Sequence, residues 1–331
     1  MASSGAEWLV EQGIGEERAV LIENGTITAA RLHWSGRLTL GQVADAVVEE
    51  LQPHGVWRRF GLVRFANGER AYASRMPREI TEGATTRLEI TRESLAERGR
   101  LKLAQATDTE KPLRAAPTLA EQLADDGYES RVVERFPPDA DWAELFLEAW
   151  SGEIDFSGGG LILSDTPAMT LIDVDLRNPV QALFSNGLPA IYRTLKRFNI
   201  TGNIGIDFPT LDKSDRKAID DRLAQLLQHW PHERTAMNGF GFVQIVARMG
   251  QPSMLQRIGR DRTGAAARFA LRIAERTQGA GVTLLRVHPA LKARIKPEWL
   301  AELERRTGRG VRVETDPGLA LEAPQAQIIS L

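Results

Sequence analysis

Two aspartates lie two positions apart inside an apolar run of the sequence. In "MTLIDVDLRN", residues 169–178, Asp173 and Asp175 alternate with aliphatic residues typical of a buried strand. Successive side chains of a strand point to opposite faces, so both carboxylates are expected on one face, about 7 Å apart at their Cα atoms. A carboxylate in such an apolar setting needs a compensating cation or hydrogen-bond donor.

A third carboxylate, Asp207, ends the next predicted strand, "NIGIDF". A predicted helix separates the two strands, and such a crossover makes them parallel and adjacent, with ligand sites at their carboxyl ends. Oxygen ligands without Cys or a nearby His favour Mg²⁺ or Mn²⁺, which lowers the pKa of a bound water and stabilises charge on a phosphoryl oxygen. Alternatively, Asp173 and Asp175 form caps or ion pairs with arginines such as Arg177 and Arg193.

The composition limits the class of protein and of site. The 331 residues suffice for two domains or for one domain with an insertion. The chain has no cysteine, which excludes disulfides, thiolate catalysis and Cys-ligated metal sites. No apolar run reaches the length of a transmembrane helix, and the N-terminal residues lack the pattern of a signal peptide, so we expect a cytoplasmic location and no membrane contact.

The charge is unevenly distributed along the chain. Residues 106–155 contain 13 Asp and Glu against 4 Lys and Arg, whereas residues 245–312 contain 15 Lys and Arg against 5 Asp and Glu. A basic C-terminal third suits a polyanionic ligand. The alternative is that these arginines form solvated helix faces and pair with the acidic segment.

The order of apolar patterns predicts several kinds of element. Asn24-Gly25 between two strand-like runs predicts a hairpin. Short strands separated by turn residues over residues 38–105 predict a small β-barrel. From residue 158 onward, strands alternate with helices, which indicates an α/β domain.

Three segments resemble the catalytic core of the ribonuclease E/G family. They are "GGGLILSDTPAMTLIDVD", "IYRTLKRFNITGNIGIDFPTLDKSDRKAIDDRL" and "NGFGFVQIVAR", which match the family patterns "LTxIDVN", "IxIDFIDM" and "FGLxExTRKR" in order and spacing. The match runs over residues 158–250. The resemblance implies a Mg²⁺-dependent endoribonuclease that cleaves single-stranded RNA by attack of a metal-activated water and leaves a 5′-phosphate and a 3′-hydroxyl, in RNA processing or decay.

The resemblance also assigns roles to the aspartates. Asp173 and Asp207 match the two metal-binding aspartates, and Asp175 stands where the family has an asparagine that assists them. Replacement of that asparagine by an acid adds a negative charge beside the ion, which either tightens the metal or repels the RNA phosphate.

An inserted RNA-binding barrel is implied as well. Tyr72 falls on one aromatic of the RNA channel, Leu62 replaces the other, and Arg98 or Arg100 lies where a basic residue lines the path. One of Phe65 and Tyr72 alternatively fills the barrel core. The RNA-binding candidates are Phe65, Tyr72, Arg98, Arg100, Arg193, Lys196, Arg197 and Arg248.

The fold implied by the resemblance has four parts. The expected division is an RNase H-like subdomain at 1–37 and 106–157, an OB-type barrel at 38–105, a DNase I-like α/β catalytic domain at 158–278 and a small α/β region at 279–331. The overall class is mixed α+β and α/β.

Several family features are missing from this sequence. The segment before the catalytic strand is short and acidic and has no counterpart of the 5′-monophosphate sensor, and the zinc-linking Cys motif is absent. We therefore expect a reduced member, without a zinc-linked dimer, that is a monomer or a dimer through another surface. Alternative hypotheses are an RNA-binding protein that keeps the fold but has impaired catalysis, and a metal-dependent phosphohydrolase of small nucleotides.

Overall fold

The computed structural model describes residues 6–54, 58–97, 100–177 and 180–330. The strands are β1 (Glu7–Gln12), β2 (Glu17–Glu23), β3 (Thr26–His33), β4 (Val43–His54), β5 (Arg58–Phe65), β6 (Arg70–Ser74), β7 (Thr85–Arg92), β8 (Leu95–Glu97), β9 (Arg100–Lys102), β10 (Ala104–Asp108), β11 (Ser130–Val133), β12 (Glu153–Phe156), β13 (Gly159–Asp165), β14 (Thr170–Leu176), β15 (Gly202–Asp207), β16 (Glu233–Arg234), β17 (Phe242–Ala247), β18 (Val282–Val287), β19 (Val311–Thr315) and β20 (Gln325–Ile329). The α-helices are α1 (Leu119–Asp125), α2 (Trp142–Ser151), α3 (Leu188–Arg197), α4 (Lys213–Leu227), α5 (Met254–Arg260), α6 (Arg262–Arg276), α7 (Pro289–Lys292) and α8 (Pro297–Thr307), and a π-helical turn, Leu183–Gly187, precedes α3.

The N-terminal sheet has four strands in the order β11-β1-β2-β3. The predicted hairpin at Asn24-Gly25 joins β2 to β3, and both residues have positive φ, 52° and 73°, as a tight turn between twisted strands requires. Helix α1 begins directly after its cap residue, Thr118, whose side chain accepts a hydrogen bond from the backbone N–H of Glu121. Strand β11, which pairs parallel to β1, follows the barrel strands in the sequence. The barrel is therefore an insertion between β3 and β11 of this sheet.

The predicted barrel is confirmed as a closed barrel of five strands, β10-β6-β5-β4-β7. Strand β4 pairs with both β5 and β7, and β10 pairs with β6 and β7, which closes the cylinder. Alternate residues such as Val63, Leu88 and Ile90 are fully buried in its interior. Five strands closed in this way are consistent with an OB-like barrel. The last strand extends to Asp108, past residue 105, where we expected the barrel to end.

A six-stranded sheet, β12-β13-β14-β15-β17-β16, follows in the chain. Strands β14 and β15 are parallel neighbours joined by the π-helical turn and α3, as the crossover rule predicts. The other pairs are antiparallel. The sheet begins at Glu153, ahead of residue 158, where we expected the catalytic domain to start.

One apolar core joins this sheet to the rest of the chain. The buried face of the sheet, which includes Ile172 and Ile206, packs in the same cluster as Leu9 of β1, Ile191 of α3 and Leu271 of α6. A three-stranded sheet, β19-β18-β20, packs against α6 and α8 at the C-terminal end. No helix within the described ranges is long and apolar enough to cross a membrane.

The basic C-terminal third is extensively ion-paired. Arg257 pairs with Glu93 of the barrel region, and Arg260 pairs with Asp165. In the described part of the chain, the acids that pair with the basic residues of 245–312 all lie outside residues 106–155. The prediction of pairing is therefore right for these arginines, but the predicted acidic partners are wrong.

Candidate active site

Asp173 and Asp207 are register partners on the parallel strands β14 and β15. Neighbouring strands lie about 4.8 Å apart, so the two carboxylates leave the sheet side by side. Both residues are exposed, whereas Ile172 and Ile206, which precede them, are fully buried. The alternation therefore places the aspartates on the open face of the sheet and the aliphatic residues in the core.

Asp175 lies on the same open face, two residues further along β14. Its register partner across β13 is Gly160, and the partner of Asp173 on that strand is Ile162. Because a glycine has no side chain, nothing on the neighbouring strand covers Asp175. Asp173 and Asp175 share a face, as predicted, and Asp207 on the neighbouring strand lies on the same face.

The electrostatics of the face are those of uncompensated carboxylates. Partial burial, then the negative charges of Asp175 and Asp207, raise the pKa of Asp173 above its usual value. Arg177, an expected partner, donates to Asp155 at 3.0 Å instead. Within residues 6–54, 58–97, 100–177 and 180–330, none of the three acids forms an ion pair with a basic side chain. The alternative interpretation of these acids as structural ion pairs is not supported.

The donor set suits a hard divalent cation held by two carboxylates. Mg²⁺ is normally bound by one or two carboxylates, with water and substrate phosphate as its other ligands. No group of three or more His, Cys, Asp or Glu side chains converges as a metal site within the part of the chain that the structure describes. Asp173 and Asp207 are the pair of carboxylates that could hold such a cation, and Asp175 would be a neighbouring charge.

Apolar residues beside the acids were missed in the sequence. Gly205 of β15 leaves room on the open face for the ring of Phe242, and a Cβ there would lie 2.5 Å from that ring and 2.9 Å from Leu171. Phe240, in the loop before β17, is 90% exposed. The pattern "NGFGF", in which one aromatic lies between two glycines and a second begins the strand, is the signal that could have identified this patch.

The loop that carries Phe240 is held in place by hydrogen bonds. The Asn238 Oδ1 atom accepts from the backbone N–H groups of Phe240 and Phe242, at 2.9 and 3.0 Å. The backbone N–H of Phe208, the residue after Asp207, donates to the carbonyl oxygen of Gly241 at 3.2 Å. The backbone of the loop that carries this exposed aromatic is thus held beside the strand end that carries Asp207.

The predicted phosphate-contacting cations are not brought to the aspartates. Arg193, Lys196 and Arg197 lie on α3, whose apolar residues pack in the core on the opposite face of the sheet. Arg197 pairs with Glu148 at 2.9 Å. Arg248 follows the end of β17 that pairs with Gly202, about 17 Å along the sheet from Asp207. These four residues are therefore not assembled beside the aspartates, and their contact with RNA phosphates stays a prediction.

The barrel candidates divide into an exposed and a buried residue. Tyr72 is 49% exposed and is the register partner of Leu62 on the outer surface of the barrel. The structure corrects the expectation for Phe65, because its ring lies in the barrel core, out of reach of a base. Arg98 lies outside the described residues, as does the side chain of Arg100.

No protein-family model matches the chain, and no curated protein matches it.

Proposed function

We propose that this protein is a Mg²⁺-dependent endoribonuclease that cleaves single-stranded RNA, as the resemblance of residues 158–250 to the ribonuclease E/G family implies. The observation that carries the proposal is the side-by-side placement of Asp173 and Asp207 on an open sheet face with no basic partner in the described ranges. Two uncompensated carboxylates at this spacing form a site for a divalent cation next to a phosphodiester.

The side chains around the aspartates have distinct roles in this proposal. Asp173 and Asp207 hold Mg²⁺, which when bound lowers the pKa of a water and stabilises charge on the scissile phosphate. Asp175 adds negative charge to the site and strengthens the attraction for the cation. Phe240 offers an exposed ring on which a base of the RNA stacks, a contact that contributes about 1–3 kcal/mol.

The remaining parts of the chain support RNA binding. We infer that the six-stranded sheet is a DNase I-like catalytic domain and that the four-stranded sheet is a shortened RNase H-like subdomain, interrupted by an OB-type barrel. Tyr72, exposed on the outer surface of the barrel, is the residue we assign to base stacking there. We place the reaction in the cytoplasm, in RNA processing or decay.

The test is cleavage of a 5′-labelled, A/U-rich single-stranded RNA with Mg²⁺, with Mn²⁺ and with EDTA. We expect products only with a divalent cation. Asp173→Asn and Asp207→Asn should each lower the cleavage rate by at least about a hundredfold, because loss of one ligand charge weakens the cation site. RNA binding, measured by filter retention, should change little.

The matched control is Asp221→Asn. Asp221 is an exposed aspartate on α4 whose partner is Lys217, away from the open sheet face, so its replacement should leave cleavage unchanged. Undiminished cleavage by Asp173→Asn or Asp207→Asn would exclude these residues as the catalytic centre.

The second candidate function is RNA binding without cleavage. It is favoured by Asp175 in place of the family asparagine and by the position of Arg248, far from Asp207. Under this hypothesis, the wild-type protein retains the labelled RNA on the filter. The RNA also stays uncleaved, both with Mg²⁺ and with EDTA.

A further inference from the structure

A cavity of about 470 Å³ lies on the other side of the protein from the aspartates, between the N-terminal sheet, the turn after α1 and the end of α3. Its walls include Trp8, Arg31, Tyr128, Lys196 and Trp230. The volume falls within the range of about 300–1,000 Å³ typical of small-molecule sites. Aromatic walls with a few polar groups are also typical of such sites.

Trp8 contributes a hydrogen-bond donor that the protein leaves unused. Its side chain is 4% exposed, and its Nε1 atom is buried without a hydrogen-bond partner among the described residues. Buried indole N–H groups are normally paired. Its ring lies 6.0 Å from that of Tyr128, tilted by 54°, so the two rings form an angled wall.

Arg31 adds a cation without an acidic partner. Its guanidinium lies over the ring of Trp8, 5.4 Å from the centroid, and donates to the carbonyl oxygen of Ala30 at 3.3 Å. In the described part of the chain no carboxylate lies within ion-pair distance of it. Burial lowers the pKa of Arg31, yet a guanidinium stays protonated, so it needs an acceptor.

Among the described residues, the Trp8 Nε1–H and the Arg31 guanidinium line the cavity without a side-chain acceptor at hydrogen-bond distance, and Asp126 attracts Arg31 from further away. Lys196, whose ammonium lies 5.4 Å from the centre of the Tyr192 ring, supplies a second positive charge. Glu23 and Glu129 also line the cavity, but Glu129 is exposed and is hydrated by solvent. The ligand that fits must therefore present acceptor oxygens to Trp8 and Arg31, and a flat ring to the aromatic wall.

We propose that this cavity binds a nucleoside monophosphate. The base stacks on the exposed ring of Tyr128, and the phosphate accepts hydrogen bonds from Arg31 and Lys196, a pairing in which charge and hydrogen bond act together. The Trp8 Nε1–H donates to an oxygen of the same ligand. This site does not depend on the divalent cation or on the open sheet face.

The test is isothermal titration of the full chain with AMP in buffer that contains EDTA. We expect saturable binding of one AMP per chain, and weaker binding of adenosine or of inorganic phosphate alone. Arg31→Met should weaken AMP binding by at least about tenfold, because it removes a charged hydrogen bond, and Trp8→Phe by about threefold, because it removes a neutral one.

Arg193→Met is the matched control, because Arg193 lies on the same helix as Lys196 but lines a different cavity. It should bind AMP as the wild type does.

Circular dichroism melts check folding, and Lys196→Met replaces Arg31→Met if the latter does not fold. Absence of AMP binding at millimolar concentration in EDTA, or unchanged binding by both Trp8→Phe and the cation variant, would overturn the proposal. Failure of RNA cleavage would leave this result unaffected.

Discussion

At the scale of a single residue, His33 makes stability depend on pH. It ends β3, is 5% exposed, and faces Glu93 and Arg257. Burial lowers the pKa of His33 below its ordinary value. The negative charge of Glu93 raises this pKa, and the positive charge of Arg257 lowers it further. In the unfolded chain His33 therefore binds a proton near pH ~6.5, whereas in the folded chain it binds the proton only at a lower pH.

The expected result is a loss of stability on acidification. As the pH falls below ~6.5, toward the lowered pKa of folded His33, the free energy of unfolding decreases because the unfolded state binds more protons. Differential scanning fluorimetry from about pH 7.5 to pH 5 measures this change. His33→Gln should show a flatter dependence over the same range, and an identical slope in both proteins would contradict the assignment.

Residue-scale function was only partly predictable from sequence. Asp173 and Asp207 were predicted as neighbours because alternation and the crossover rule are local properties of sequence. Phe240 was missed because an exposed aromatic in a loop belongs to no periodic pattern. Its position beside Asp207 depends on the backbone hydrogen bonds of residues 238–241, which only the folded chain shows.

At the scale of an element, the junction of α2 and β12 depends on Gly152. Its φ is +75°, and a Cβ at this position would lie 2.6 Å from the backbone carbonyl oxygen of Leu163. Gly152→Ala should cost about 3 kcal/mol or more, the sum of left-handed strain and a backbone clash. Urea unfolding measures the loss.

Gly127, after α1, provides the comparison. Its φ is also positive, +84°, but no atom of the described residues, its chain neighbours aside, lies within 4 Å of a Cβ placed there. Gly127→Ala should cost only the strain, about 1–2 kcal/mol. Equal losses in the two variants would show that the contact with Leu163 is not what requires glycine at position 152.

At the scale of the whole molecule, Glu11 joins the N-terminal sheet to α6. It is 3% exposed, pairs with Arg18 at 3.0 Å and Arg276 at 2.8 Å, and also pairs with Arg272. The backbone N–H of Phe136 donates to it at 2.9 Å. Burial lowers the pKa of Arg272 to about 9, which shows how unfavourable its charge is at this position. The ion pair with Glu11 supplies the counter-charge.

Glu11→Gln should therefore destabilise the protein by about 3–5 kcal/mol, because it leaves buried arginines without their counter-charge. Guanidinium or urea unfolding followed by tryptophan fluorescence measures the loss. Glu7→Gln is the control, since Glu7 and its partner Arg131 lie on the surface and their pairing contributes little. A Glu11→Gln variant as stable as the Glu7→Gln variant would refute the structural role.

The whole-molecule arrangement was the least predictable from sequence. The barrel and the alternation of strands and helices follow from local patterns, and both are present in the structure. The ion partners of the basic C-terminal third do not follow from local patterns. Glu11 and Arg272, for example, are 261 positions apart, and no spacing rule connects them. Charge runs predict that ions will be paired, but the fold selects the partner.

The insertion of the barrel has a consequence for how the gene could vary. Where the chain enters and leaves the barrel, Val43 and Arg114 exchange two backbone hydrogen bonds, at 3.0 and 2.9 Å. The two ends of the inserted segment are therefore hydrogen-bonded to each other at a point between the barrel and the N-terminal sheet. Recombination could lengthen, shorten or exchange the barrel between these positions, and β3 and α1 would still meet at the same place.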